Sequence, residues 1–118
     1  MANPNIVNVT TIFGNVVAQA VTTTAAAIVT NPASSGAVYK INSLSVANIN
    51  TAAAAITLEI NIGGVNTFIA RAVSVPANSA LAVIGKDTGI YLTENSSLQV
   101  TASANSYLQA VCSFEQIS

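Results

Sequence analysis

Along the chain, segments of four to nine residues with alternating or β-branched patterns are divided by clusters of Gly, Pro, Asn and Ser. That short, regular spacing predicts an all-β chain, an antiparallel β-sandwich (jelly-roll or Ig-like) of about nine or ten short strands. The clearest half-buried strand places Ile56, Leu58, Ile60 and Ile62 on one face and Thr57, Glu59 and Asn61 on the other. Gly63-Gly64 follows at once and predicts a tight hairpin into Val65 to Val75, which Pro76 closes. A first hairpin is expected from Ile6 to Phe13 and Val16 to Thr22 around Gly14-Asn15, then a short strand from Ala25 to Thr30 and a loop over Asn31-Pro32-Ala33-Ser34-Ser35-Gly36.

From Val38 to Asn48 the apolar set starts as Tyr39 and Ile41 and resumes as Leu44 and Val46, a slip of one residue that predicts a β-bulge near Asn42-Ser43. The remaining strands are Ala80 to Ile84, Ile90 to Leu92, Leu98 to Ser103 and Tyr107 to Ile117. In the last, parity assigns Leu108, Ala110, Cys112 and Phe114 to the core. Ala52 to Ala55 has helical propensity but is too short to nucleate a helix, so the following alternation draws it into a strand. Almost no helix is expected. Without a linker or a long repeat, residues 1–118 read as one domain, with 1–5 as an N-terminal arm.

Composition sharpens the picture. The apolar half is 21 Ala, 14 Val and 12 Ile against 6 Leu, a balance suited to strands. The polar half is neutral, with 13 Asn, 12 Ser, 12 Thr and 4 Gln, while charged residues make up only 6% and the net charge is −1. A surface of amides and hydroxyls hydrates well but supplies little of the self-repulsion that keeps proteins apart, so close packing against copies or partners carries a small desolvation penalty. The sheet edges also lack the lysines that commonly block them.

The inventory of reactive groups is thin. There is no His, and one Cys cannot form an internal disulfide, so Cys112 reads as a small core hydrophobe. The carboxylates Glu59, Asp87, Glu94 and Glu115 fall in turns or on solvent parities and read as ordinary surface groups. Asp87 and Glu94 lack the spacing of a Ca²⁺ loop. Ser and Thr are plentiful, but no base is placed to activate them. The aromatics Phe13, Tyr39, Phe68, Tyr91, Tyr107 and Phe114 are spread singly, without a stacking platform. Lys40, Arg71 and Lys86 are too few to track a phosphate backbone, so no nucleic-acid partner is expected. No apolar run suits a membrane span, and Met1 to Asn8 has neither the basic nor the apolar region of a classical secretory signal. No catalytic residue, cofactor or metal ligand is assigned.

Two stretches carry a resemblance. Met1-Ala2-Asn3-Pro4-Asn5-Ile6-Val7-Asn8-Val9-Thr10-Thr11-Ile12 and the block from Val73-Ser74-Val75-Pro76 to Ser118 resemble small virion structural proteins of tailed bacteriophages, cyanophages especially. Within the second block the matching residues are Pro76-Ala77, Lys86-Asp87-Thr88, Tyr91-Leu92, Leu98, Thr101-Ala102-Ser103-Ala104-Asn105 and Ala110-Val111-Cys112-Ser113. Where those proteins have an acidic Gly-Asp turn before the strand containing Leu98, this chain has Asn95-Ser96-Ser97.

The resemblance implies a non-enzymatic virion component, assembled in a bacterial host cytoplasm and present in many copies. It would act as a capsid decoration or cement protein, or as a neck or tail fibre, adaptor or receptor-binding module. A chain without heptads or stalk repeats favours decoration. The expected partners are the major capsid protein and copies of itself in a homo-oligomer, or alternatively neck and tail proteins. Ala2, Asn3, Pro4 and Asn5, held extended by Pro4, are the expected segment that reaches a neighbour. Receptor recognition would instead use the loops Asn31 to Gly36 and Gly85 to Gly89.

Overall fold

The computed structural model describes residues 11–85, 87 and 89–118. Among the described residues, β-branched and alternating segments form nine strands: β1 (Ile12–Val21), β2 (Ala26–Asn31), β3 (Val38–Asn48), β4 (Ala54–Ile62), β5 (Val65–Val75), β6 (Ala80–Ile84), β7 (Ile90–Leu92), β8 (Ser96–Ala102) and β9 (Leu108–Ile117). All pair antiparallel in two sheets. The first sheet has the order β1-β9-β3-β6, with β7 also on β3, and the second has β2-β8-β4-β5. Consecutive strands thus cross repeatedly between layers, and the order is that of an eight-stranded jelly roll whose sixth strand is split into β6 and β7.

The core lies between the sheets. Ile41, Leu44 and Val46 of β3, Ile56 and Leu58 of β4, Leu98 and Val100 of β8, and Leu108, Ala110 and Cys112 of β9 are all at most 1% exposed. The parity expected for β4, and for β9 from Leu108 to Cys112, is therefore the observed one, while Phe114 is half-buried and Ile117, of the opposite parity, is buried. The parity fades toward the β4 turn, where Ile60 is half-buried and Ile62 is 53% exposed. The expected bulge in β3 is present as a register shift between Ile41 and Ser43, which returns Leu44 to the core side.

Gly63 and Gly64 both have positive φ, 59° and 92°, the conformation of the two central residues in a type I′ hairpin turn. A second departure from regular pairing lies in β5. Its register against β4 shifts on either side of Leu58, and Ala72 sits at φ 50° with its N–H donated to Thr57 Oγ1 at 3.0 Å.

Two expectations need correcting. Gly14-Asn15 is not a turn: β1 runs straight through it, with Gly14 opposite Glu115 and Asn15 opposite Phe114 on β9. The long complementary strand at the C-terminus offers continuous pairing that a local hairpin cannot match, and Gly14 has φ outside the positive region that a turn would need. The aromatics are also not all isolated. Tyr39 and Phe114 stack with ring centroids 5.4 Å apart because β3 and β9 are neighbours.

Candidate functional site: an uncharged face and an open edge

The outer face of the first sheet is read directly from its registers. Val16, Ser113 and Ser43 form one row across β1, β9 and β3. The next row is Ala18, Val111, Ser45 and Ala82, followed by Ala20, Gln109, Ala47 and Ala80. Apart from Gln109 these side chains are small or apolar, and none is charged. A shallow groove of about 260 Å³ runs over Ala18, Ala20, Gln109 and Val111. Charge enters this sheet only at its other end, where Lys40 lies opposite Glu115, and Glu115 accepts a hydrogen bond from Asn42 Nδ2 at 3.1 Å.

β1 forms one edge of this sheet. Its N-terminal flank fixes the hydrogen-bond phase: Thr11 N–H donates to the Ser118 carbonyl and Ser118 N–H to the Thr11 carbonyl, each at 3.0 Å. In an antiparallel ladder such pairs alternate, so the odd residues from Phe13 to Val21 bond to β9. The N–H and C=O groups of Ile12, Gly14, Val16, Ala18 and Ala20 point to the open edge and find no partner among the described residues. Ile12, Phe13 and Val16 are 55%, 57% and 69% exposed.

The other edges are guarded. β2 is short and shifts register between Ala27 and Val29, and β6 has only five residues with a shift of its own. β5 carries the irregularity at Ala72 and the only charge on an edge strand among the described residues, Arg71, whose guanidinium lies 5.2 Å from the Phe68 ring centroid. Short length, bulges and charge are the usual protections of a sheet edge, and β1 has none of them.

No reactive centre is assembled from the carboxylates. Glu59 faces outward from β4 opposite Phe68, and Glu115 lies on the other sheet. Among the described residues no three acidic, Cys or His side chains converge. Glu94 departs from the expected surface role. Its Oε2 accepts the Gly36 N–H at 3.1 Å, while Oε1 is buried without a partner among the described groups, so the residue ties the 32–37 loop to the β7–β8 turn.

Two residues that the sequence pattern gave no reason to single out hold the layers together. Asn31, at the end of β2 and fully buried, donates through Nδ2 to the carbonyls of Ala37 and of Leu92 on β7, each at 2.9 Å. Its Oδ1 accepts the Ser35 hydroxyl at 2.5 Å. Asn48, at the end of β3, donates to the carbonyls of Ala52 at 2.9 Å and of Val75 on β5 at 3.0 Å, and accepts the Asn50 N–H at 2.9 Å. Each amide therefore stitches one sheet to the other. The 31–36 loop is anchored at its first residue by this network, while Pro32 to Gly36 stay exposed.

Cys112 lies fully buried in the core, and burial pushes its thiol up to about 11. At pH 8 roughly one thiol in a thousand is then ionised. Maleimide is expected to leave the native chain unlabelled and to modify it only after denaturation, as intact-mass measurement would show; labelling of the native chain at the rate of a free thiol would contradict this placement.

The expected interface residues Ala2, Asn3, Pro4 and Asn5 lie outside the described residues, as do Lys86 and Thr88 of the 85–89 loop.

No protein-family model and no curated protein sequence matches the chain. Among solved structures, one described as Bacillus endospore appendages that form a family of disulfide-linked pili aligns over 100% of this chain and 96% of its own, with TM-score 0.56 and 14% identity. The two share a fold. A pentameric capsid protein isolated from metagenomic phage sequences aligns over 87% of this chain and 60% of its own, with TM-score 0.43 and 17% identity, a similarity too loose to establish a common fold.

Proposed function

We propose that this chain is a non-enzymatic structural subunit of a virion, a capsid decoration or cement protein that associates with copies of itself and bridges major capsid subunits. The observation that carries this reading is a sheet face whose three rows from Val16 to Ala80 hold no charge, running into an unguarded strand edge. A surface of that kind loses little hydration when covered, and its unpaired backbone groups gain from a neighbour. The jelly roll is a frequent architecture of viral capsid domains, which supports the reading without deciding it.

Contact between copies is non-covalent in this proposal. The chain's one thiol is buried, in contrast to pili described as disulfide-linked, so reducing agents should leave any assembly intact. The segment from Ala2 to Asn5, which lies outside the described residues, is the part of the chain proposed to contact a neighbouring subunit.

Quantitative stoichiometry of purified particles tests the proposal. Copies in fixed proportion to the major capsid protein are expected, with occupancy lowered by deleting residues 2–5. A copy number limited to a single ring would move the protein to the neck or tail. Unchanged occupancy after the deletion would remove the arm from the interface.

A further inference from the structure

We infer that β1 is a self-pairing edge: two copies of the chain join antiparallel through β1 about a two-fold axis at Val16, fusing their first sheets into one continuous sheet. The inference deepens the self-association proposed above and rests on that reading for its biological setting, but its physical basis is the strand itself.

The hydrogen-bonding groups are self-complementary. The open-edge residues Ile12, Gly14, Val16, Ala18 and Ala20 are spaced symmetrically about Val16. An antiparallel partner centred there pairs Ile12 with Ala20, Gly14 with Ala18 and Val16 with Val16 of the second copy. Every N–H and C=O left open on either strand then meets its counterpart in the hydrogen-bonded type of pair.

Side-chain sizes match in the same register. On the outer face the large Ile12 falls beside the small Ala20, and Gly14 beside Ala18. On the other face Phe13 falls beside Gln19 and Asn15 beside Val17. Ile12, Phe13 and Val16, exposed in the single chain, gain cover. No charged residue lies anywhere in β1, so the two-fold axis brings no like charges together. The ten pairs between β1 and β9 run without a register shift, so the edge is straight enough to accept a full-length partner. Pairing with β5 of another copy, the other long edge, would break at Ala72 and place Arg71 in the seam.

Sedimentation analysis of the purified full-length chain tests this. A closed dimer is expected, and Val16→Pro should weaken it by about tenfold or more. Val16 N–H faces the open edge, so proline there removes an intermolecular donor while sparing the pairing with β9. Val16→Lys, which keeps the backbone intact, covers the case in which the proline chain fails to fold: two ammonium groups at the axis should make it monomeric.

Amide hydrogen exchange gives a second readout. The amides of Ile12, Gly14, Val16, Ala18 and Ala20 should be protected in the wild-type dimer and exposed in Val16→Lys, whereas those of Phe13, Asn15 and Val17 stay protected in both. A wild-type monomer at high concentration, open-ended polymers in place of dimers, or dimers unchanged by Val16→Lys would each overturn the inference. A dimer with no affinity for particles would leave the edge pairing standing and remove only the capsid reading; particle binding by a chain that is monomeric throughout would do the reverse.

Discussion

Replacing Asn48 with Asp is expected to destabilise the fold by about 3 kcal/mol or more at neutral pH, measured by urea unfolding. The wild-type amide gives two N–H bonds to the carbonyls of Ala52 and Val75. A carboxylate at the same place would turn an anionic oxygen on those carbonyls in a site that is only 2% exposed. The fold would therefore favour the protonated acid and raise the carboxyl's pKa above its unfolded value.

The sign of the pH effect follows. A raised folded-state value means that the folded state holds its proton more tightly, so the variant is most stable below about pH 4 and loses stability as pH rises through and above that value. Asn48→Ala, with no charge to bury but with the Val75 carbonyl left unpaired, should cost about 2 kcal/mol at all pH values. Equal stability of Asn48→Asp and wild type at pH 7 would show that the two-sheet clasp contributes little.

Leu58→Ala should cost about 3–5 kcal/mol, whereas Ile62→Ala, four residues along the same face of β4, should cost less than about 1 kcal/mol. Leu58 is fully buried between its neighbours on β8 and β5, opposite Val100 and Ala70, and truncation leaves a cavity that packed strands cannot close. Ile62 is 53% exposed beside the Gly63-Gly64 turn and already contacts water. Denaturant midpoints of the two variants, with unchanged slopes, measure the contrast; similar losses at both positions would mean that the hairpin end is covered in solution.

That pair of residues also marks how far the sequence pattern reaches. Period-two alternation identifies which side of β4 faces inward because side chains of a strand must alternate between faces. It cannot tell where along the strand the opposing sheet stops, since that depends on the length and tilt of strands elsewhere in the chain. Ile56 and Ile62 look alike in the pattern and differ completely in burial. The β3 bulge was legible because an alternation that slips by one residue must absorb that residue locally to keep its apolar side chains on the core face, and the Gly63-Gly64 turn because two consecutive glycines suit paired positive φ angles.

Gly14 shows the reverse. Glycine next to Asn is a turn signal when read locally, but the competing partner for β1 is β9, nearly a hundred residues away, and local propensity holds no information about it. Asn31 and Asn48 were opaque for a related reason. In a chain with 13 asparagines, nothing in sequence separates one that caps a loop in water from one that crosses between sheets. Only the approach of the β7 and β5 carbonyls defines the difference.

The sequence by itself determined the strand-rich class, the inward faces of β4 and most of β9, the Gly63-Gly64 turn, the strand end at Pro76 and the scarcity of charge, because each follows from neighbouring residues or from inventory alone. Tertiary structure decided the jelly-roll order, the cross-sheet asparagines and the identity of the open edge. Those depend on which distant strands meet, and a strand's edge is open or closed only according to the neighbour it does or does not have.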